Sequence, residues 1–265
     1  MAIGPRSRGH LVIGLPRDAF RPSVIFLSLA ALFVFSGWML WSGFGNERVD
    51  AFLFVVSGWL VSLCLHEYAH ALLAYRAGDV GVAERGYLTL NPLKYSHPVL
   101  SIVLPLLALV LGGIGLPGGA VWVDRHYVRS RLADSLISFA GPATNVLFTM
   151  ALVVPFWLGV DGSTHESFWA AVAFLAFLQL TASILNFMPI PGVDGGNLIE
   201  PWLSDQWKRG FGHVAPYGML LLIALLWTPR FSAIFFRFVF FVGDALGLPS
   251  YLYAAGFHLV RFWSS

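Results

Sequence analysis

Residues 63–73 read Leu63-Cys64-Leu65-His66-Glu67-Tyr68-Ala69-His70-Ala71-Leu72-Leu73, within an apolar run from 51 to 76 that is long enough to cross a bilayer. An ionisable group at the centre of a lipid-facing helix costs roughly 2.5–3.5 kcal/mol on insertion scales. Two histidines and a glutamate within five positions are tolerated when they face a protein interior, bind something or do chemistry. The stretch therefore raises two questions, the architecture around it and the chemistry inside it.

Composition answers the first. The chain has 265 residues, 57% of them hydrophobic and 11% charged, with a mean hydropathy of +0.74. Soluble domains carry about 25% charged residues, so this is the composition of an integral membrane protein. The net charge of +2 and the lack of a basic run give no sign of a nucleic-acid partner. Cys64 is the only cysteine, which excludes an intrachain disulfide framework; it reads as a small buried hydrophobe.

Apolar stretches long enough for about 30 Å of hydrocarbon lie near 23–44, 51–76, 133–159, 167–188 and 212–228, with another in part of 231–262. The shorter run 98–116 is broken by Pro105 and Gly112-Gly113. The run from Ser23 is too long for a signal-peptide core and has no small-residue cleavage site, so it reads as a retained span. Arg6, Arg8, Arg17 and Arg21 before it favour a cytoplasmic N-terminus. The second span then returns inward and ends at Arg76, which puts His66 to His70 in its inner half.

Arg85 and Lys94 in one loop, and Arg125, Arg129 and Arg131 in the next, prefer the same side although 98–116 separates them. The simplest solution is that 98–116 dips into the bilayer and returns, a path that requires surrounding protein or a wet cavity. A full crossing with a return through 117–124 is the alternative. The expected fold is an all-α polytopic membrane protein of about six transmembrane helices, both termini cytoplasmic, with a short re-entrant segment. A small β-hairpin is expected near the cytoplasmic face, because Gly86–Leu90 (GYLTL) alternates polar and apolar residues. Residues 1–265 form one membrane-embedded unit, with the core at about 50–200 and the spans 23–44 and 212–262 peripheral. Arg237 and Asp244, seven residues apart on one helical face, read as a structural pair.

The second question turns on spacing. His66 and His70, four residues apart, share a helix face and can reach one zinc ion, with Zn–N of about 2.0–2.1 Å. Glu67 can reach the attacking water rather than the metal. A catalytic site needs a third protein ligand, and Asp194 in NFMPIPGVDGGNL (186–198) is the best-placed acid. Pro189 and Pro191 end the preceding helix, and Gly195-Gly196 permit a sharp turn, which would deliver the carboxylate on extended backbone. In FAGPATNVLF (139–148), Gly141-Pro142 is expected to open a helix, with Asn145 one turn on. Asn145 could cap helical backbone, or hydrogen-bond a bound peptide or an oxyanion.

HEYAH, GPATN and NFMPIPGVDGG, in this order, resemble the HExxH, GPxxN and NxxPxPxxDGG patterns of the site-2 protease family of intramembrane zinc metalloproteases. GYLTLNPLKYSHP (86–98) is similar to a stretch of its compact bacterial members, which lack PDZ and CBS domains. The likeness covers roughly 50–200. It departs at Tyr95-Ser96-His97, where the family reads close to NPLKHIDP, and at GGAVWVD (118–124), where a lysine-proline pair is usual. Both changes could alter a substrate channel. His97 reads as a loop histidine rather than an extra ligand.

The resemblance implies one Zn2+ on His66, His70 and Asp194, with Glu67 as general base and acid and Asn145 as a substrate or transition-state contact. It implies a peptide hydrolase in the cell membrane that cuts single-span membrane proteins within or near their transmembrane helix, after local unwinding. GYLTL could pair with the unwound strand by strand addition, or be an ordinary hairpin. Membrane lipid is the other expected partner, and the oligomeric state is open. The rival reading is a polytopic metal-ion transporter or metal-binding membrane protein, which would spread polar residues along several spans. A catalytically dead scaffold is a third, disfavoured by the presence of Glu67.

Overall fold

The computed structural model describes residues 19–95, 102–112, 114–116 and 121–261, with backbone alone at 110–112. Arg6, Arg8, Arg17 and His97 lie outside the described residues. Helix α1 (Val24–Ser42) and helix α2 (Glu47–Ala77) form a hairpin. Both ends of α2 are written in sequence. Asn46 caps it by accepting from the amides of Arg48 and Val49, and Glu47 and Asp50 complement the first-turn dipole. Gly78 ends it in the left-handed region, donating to the Ala74 and Tyr75 carbonyls.

Helix α3 (Gly81–Glu84) and helix α4 (Leu104–Gly112) follow. At nine residues, α4 is about 14 Å long and cannot cross about 30 Å of hydrocarbon. The Asp124 amide donates to Asp79 Oδ2 at 2.8 Å, so the chain that leaves α2 at Gly78 is back beside it by residue 124. Helix α5 (Arg131–Trp157) therefore starts where α2 ends.

Helix α6 (Glu166–Asn186) is the most enclosed of the long helices. Its buried alanines, Ala170, Ala171, Ala173, Ala176 and Ala182, let α2, α5 and the C-terminal helix approach closely. Small residues serve this purpose in lipid, where helix association rests on packing. Helix α7 (Asp194–Ile199), helix α8 (Asp205–Val214), helix α9 (Gly218–Trp227), helix α10 (Pro229–Ala245) and helix α11 (Ser250–Val260) complete the order. Among the described residues, five helical stretches are long and apolar enough to cross a membrane: α1, α2, α5, α6 and Asp205–Trp227. A sixth span results if α10 and α11, bent by 120°, count as one. The Ser23 amide donates to the Thr89 carbonyl, so α1 begins at the end where α2 finishes. The α10–α11 turn lies at the opposite end, where Trp157 Nε1 donates to the Leu246 carbonyl and the Tyr251 hydroxyl to the Asp161 carbonyl.

Three expectations need correction. Among the described residues there is no strand, so the β-hairpin is not formed. Tyr87–Thr89 is a 3-10 turn, entered and left through left-handed Gly86 (φ 75°) and Leu90 (φ 56°). The Thr89 amide and hydroxyl both donate to the Gly86 carbonyl, local satisfaction that an alternating pattern does not encode. Gly141-Pro142 does not open a helix: α5 begins at the Ser130 cap and runs through Pro142. The proline removes one donor, and packing against α2, α6 and α7 holds the flanking turns. Asp194 is not on extended backbone; the extended residue is Val193 (φ −102°, ψ 157°), and Asp194 is the first residue of α7.

Candidate metal centre

His66 and His70 lie buried on one face of α2, one turn apart. His70 Nδ1 is 2.6 Å from the backbone carbonyl oxygen of Ile137 in α5. A carbonyl only accepts, so Nδ1 carries the hydrogen and Nε2 presents a lone pair. His66 Nδ1 lies 3.3 Å from Asn145 Oδ1, which fixes the second ring the same way.

Asp194 Oδ2 is 3.2 Å from His66 Nε2 and 3.4 Å from His70 Nε2, and the two nitrogens are 3.1 Å apart. Three acceptor atoms facing one another repel unless a cation lies between them. Ligands at 2.0–2.1 Å around a tetrahedral zinc are about 3.3 Å from each other, so the triangle has the size that zinc requires. No other group of three His, Cys, Asp or Glu among the described residues comes together in this way.

Two glycines make the convergence possible. A Cβ on Gly141 would lie 2.2 Å from His70 Nε2 and 2.5 Å from His66 Nε2, so α5 reaches the imidazoles only without a side chain there. A Cβ on Gly196 would lie 2.0 Å from the Ile190 carbonyl oxygen, so α7 folds onto the proline loop only as glycine. Ser135 Oγ donates to the Leu198 carbonyl and accepts from Trp202 Nε1, each at 2.8 Å, tying α7 and the turn after it to α5.

Glu67 is 2% exposed; its Oε1 is 3.7 Å from His66 Nε2, and its Oε2 has no hydrogen-bond partner among the described residues. Glu67, both histidines and Asp194 line one cavity of about 500 Å3. Residues 121–126 form another of its walls; the sequence reading linked 118–124 to a substrate channel but did not place Arg125 and His126 there. This strap is held from several directions. Arg85 Nη1 donates to the Trp122 carbonyl at 3.2 Å, and its guanidinium sits 4.4 Å over the Trp122 ring. Arg125 pairs with Asp134 at 3.0 Å and Glu200 at 3.6 Å. The His126 side chain, 2.9 Å from the Asp124 carboxylate, and the His126 amide hold that carboxyl below its usual range. The signal was present in GGAVWVD, the stretch where the chain departs from the family pattern.

The chain is 45% identical to Rip2 of Mycolicibacterium smegmatis over 256 residues, 94% of this chain and 97% of that protein. It is 44% identical to Rip2 of Mycobacterium tuberculosis over 254 residues, 94% and 96% of the two chains. It is 28% identical to YwhC of Bacillus subtilis over 190 residues, 66% and 81%. All three carry the name of a zinc metalloprotease. The chain belongs to the site-2 protease family. No family model and no solved structure matches it. The protease is thus a multi-pass membrane metalloenzyme whose implied ion is zinc, and the transporter reading gives way.

Proposed function

We propose that the chain is an intramembrane endopeptidase that cuts single-span membrane proteins within or beside their transmembrane helix, in the half of the bilayer facing the cytoplasm. One observation supports this reading most. A zinc-sized triangle of acceptor atoms, with a buried carboxylate beside it, sits in a cavity among helices long and apolar enough to span a bilayer.

His66, His70 and Asp194 would hold the ion, which when bound supplies a Lewis acid that brings the pKa of water to about 7. Glu67 takes the proton from the attacking water and delivers it to the leaving nitrogen. The unpartnered Oε2 suits it to that exchange. Burial excludes competing solvent from the carboxylate, while the cavity admits water for hydrolysis. Asn145 positions the His66 ring, and a contact with the bound peptide is the second role this reading gives it.

The test compares wild type with Glu67→Gln in liposomes carrying a panel of single-span proteins, with soluble peptides of the same cut sequence alongside. Wild type should cleave the spanning substrates, and Glu67→Gln should retain zinc while losing about 10²–10⁴-fold in rate. Equal cleavage by Glu67→Gln would overturn the general-base role. Cleavage restricted to soluble peptides would overturn the intramembrane reading.

A further inference from the structure

Beyond His66, away from the main cavity, lies a second one of about 10 Å3, room for a single oxygen atom. His66 and Asn186 line both cavities, so the small one adjoins the large one where α2, α5 and α6 meet. Its walls include Trp59, Ser62, Asn145 and Gln179. Trp59 is 4% and Gln179 1% exposed, and neither Trp59 Nε1 nor Gln179 Nε2 has a hydrogen-bond partner among the described residues. The Gln179 oxygen is engaged, accepting from Ser62 Oγ at 2.7 Å. What remains is two unpartnered buried donors on side chains that line a space sized for one acceptor.

Unpartnered buried donors are costly in any protein and more so at membrane depth. A substrate helix that unwinds for cleavage has the complementary problem, because its carbonyls lose their own amides in a medium without water. The spacing suits a meeting of the two. Ser62 precedes His66 by one helical turn, about 5.4 Å along the axis. An unwound peptide advances about 3.3 Å per residue, so an acceptor there is one or two residues from the bond being cut.

Resting on the intramembrane reading above, we propose that Trp59 and Gln179 form a subsite that takes one main-chain carbonyl oxygen of the unwound substrate, one or two residues from the scissile bond. A water can hold the same place between turnovers and leave when the carbonyl arrives. The subsite favours an unwound strand over an intact helix, whose carbonyls are already satisfied.

Trp59→Phe removes one donor and keeps an aromatic ring; Gln179→Met removes the other at similar volume. Both are assayed in liposomes on a single-span substrate and on a short soluble peptide ending at the scissile residues, with zinc content and helical circular dichroism read separately. Each variant should lose about 10-fold in kcat/KM on the spanning substrate, keep full zinc and match wild type on the short peptide. Ser36→Ala, which removes a buried hydroxyl that lines neither cavity, should stay within about 3-fold. If one of the two variants does not fold, the other carries the test alone. Equal losses on both substrates together with weakened zinc would mean that the oxygen belongs only to a resident water supporting His66, which overturns the subsite. Activity within 2-fold of wild type on the spanning substrate overturns it too. A wild type that cleaves no spanning substrate defeats the intramembrane reading instead, which keeps the two failures apart.

Discussion

Gly141 lies against His70 so closely that a single methyl group on the glycine would fall 2.2 Å from Nε2, where ordinary contacts begin at 3.4 Å. The candidate metal ligands of α2 are thus read directly by the backbone of α5. Gly141→Ala must push the helices apart by about 1 Å or turn both imidazoles out of place, and a shift of that size is enough to spoil a zinc triangle. The expected protein is helical and inserted but holds less than about a tenth of the wild-type zinc. Metal analysis with circular dichroism checks it, and full zinc at normal activity would refute the close approach.

Asn145 makes a prediction that separates two roles. Its Oδ1 accepts from His66 Nδ1, and loss of such a ligand-orienting partner typically costs 10–100-fold in metal affinity or activity. Asn145→Ala should therefore speed zinc loss to a chelator by about 10–100-fold, and Asn145→Asp should restore most of the retention. An unchanged chelation rate with a raised KM would assign the residue to substrate alone, the role the family resemblance implies.

How much of this was legible in the sequence depends on the range of each interaction. His66, Glu67 and His70 are legible because a helix turn brings them together locally and a membrane span makes them expensive. Asp194 is legible because prolines and glycines frame it, although no local signal marks it as the first residue of a helix. The contact between Asn145 and His66 was not, because it exists only once α2 and α5 cross. Pro142 misled for a related reason: a local rule places proline in a first turn, while packing on three neighbours carries α5 through it. The 120° turn between α10 and α11 was equally hidden, since both are apolar and only Leu246-Gly247-Leu248-Pro249 separates them from a continuous span.

Asp79 is the fastening of the strap that walls the cavity. The carboxylate is fully buried, accepting from the Gly81 amide at 3.0 Å and the Asp124 amide at 2.8 Å. Asp79→Ala leaves two amides without acceptors, at about 1–3 kcal/mol for each one that stays buried. The melting temperature should fall, and protease nicking near 121–130 should appear well below the main transition. Arg85→Ala loses an exposed cation–π contact and one hydrogen bond, so its effect should be about 1 kcal/mol or less. A larger effect from Arg85→Ala than from Asp79→Ala would contradict this ranking.

The strap also carries a pH dependence whose sign follows from Asp124. Hydrogen bonds from the His126 side chain and amide favour the ionised carboxylate, so the folded protein releases the proton more readily than an unfolded chain, where aspartate titrates near 3.9. A depressed value means that the stabilisation is present above about pH 3.9 and disappears as pH falls through the lower, folded value. Amide exchange at 121–128, corrected for intrinsic rates, should be flat from neutral pH to about pH 5 and accelerate only in stronger acid. The carboxyl carbon shift of Asp124 should titrate with a midpoint below about 3.9, and His126→Ala should move it back toward that value. A wild-type midpoint at or above it would show that His126 does not hold the carboxylate in solution.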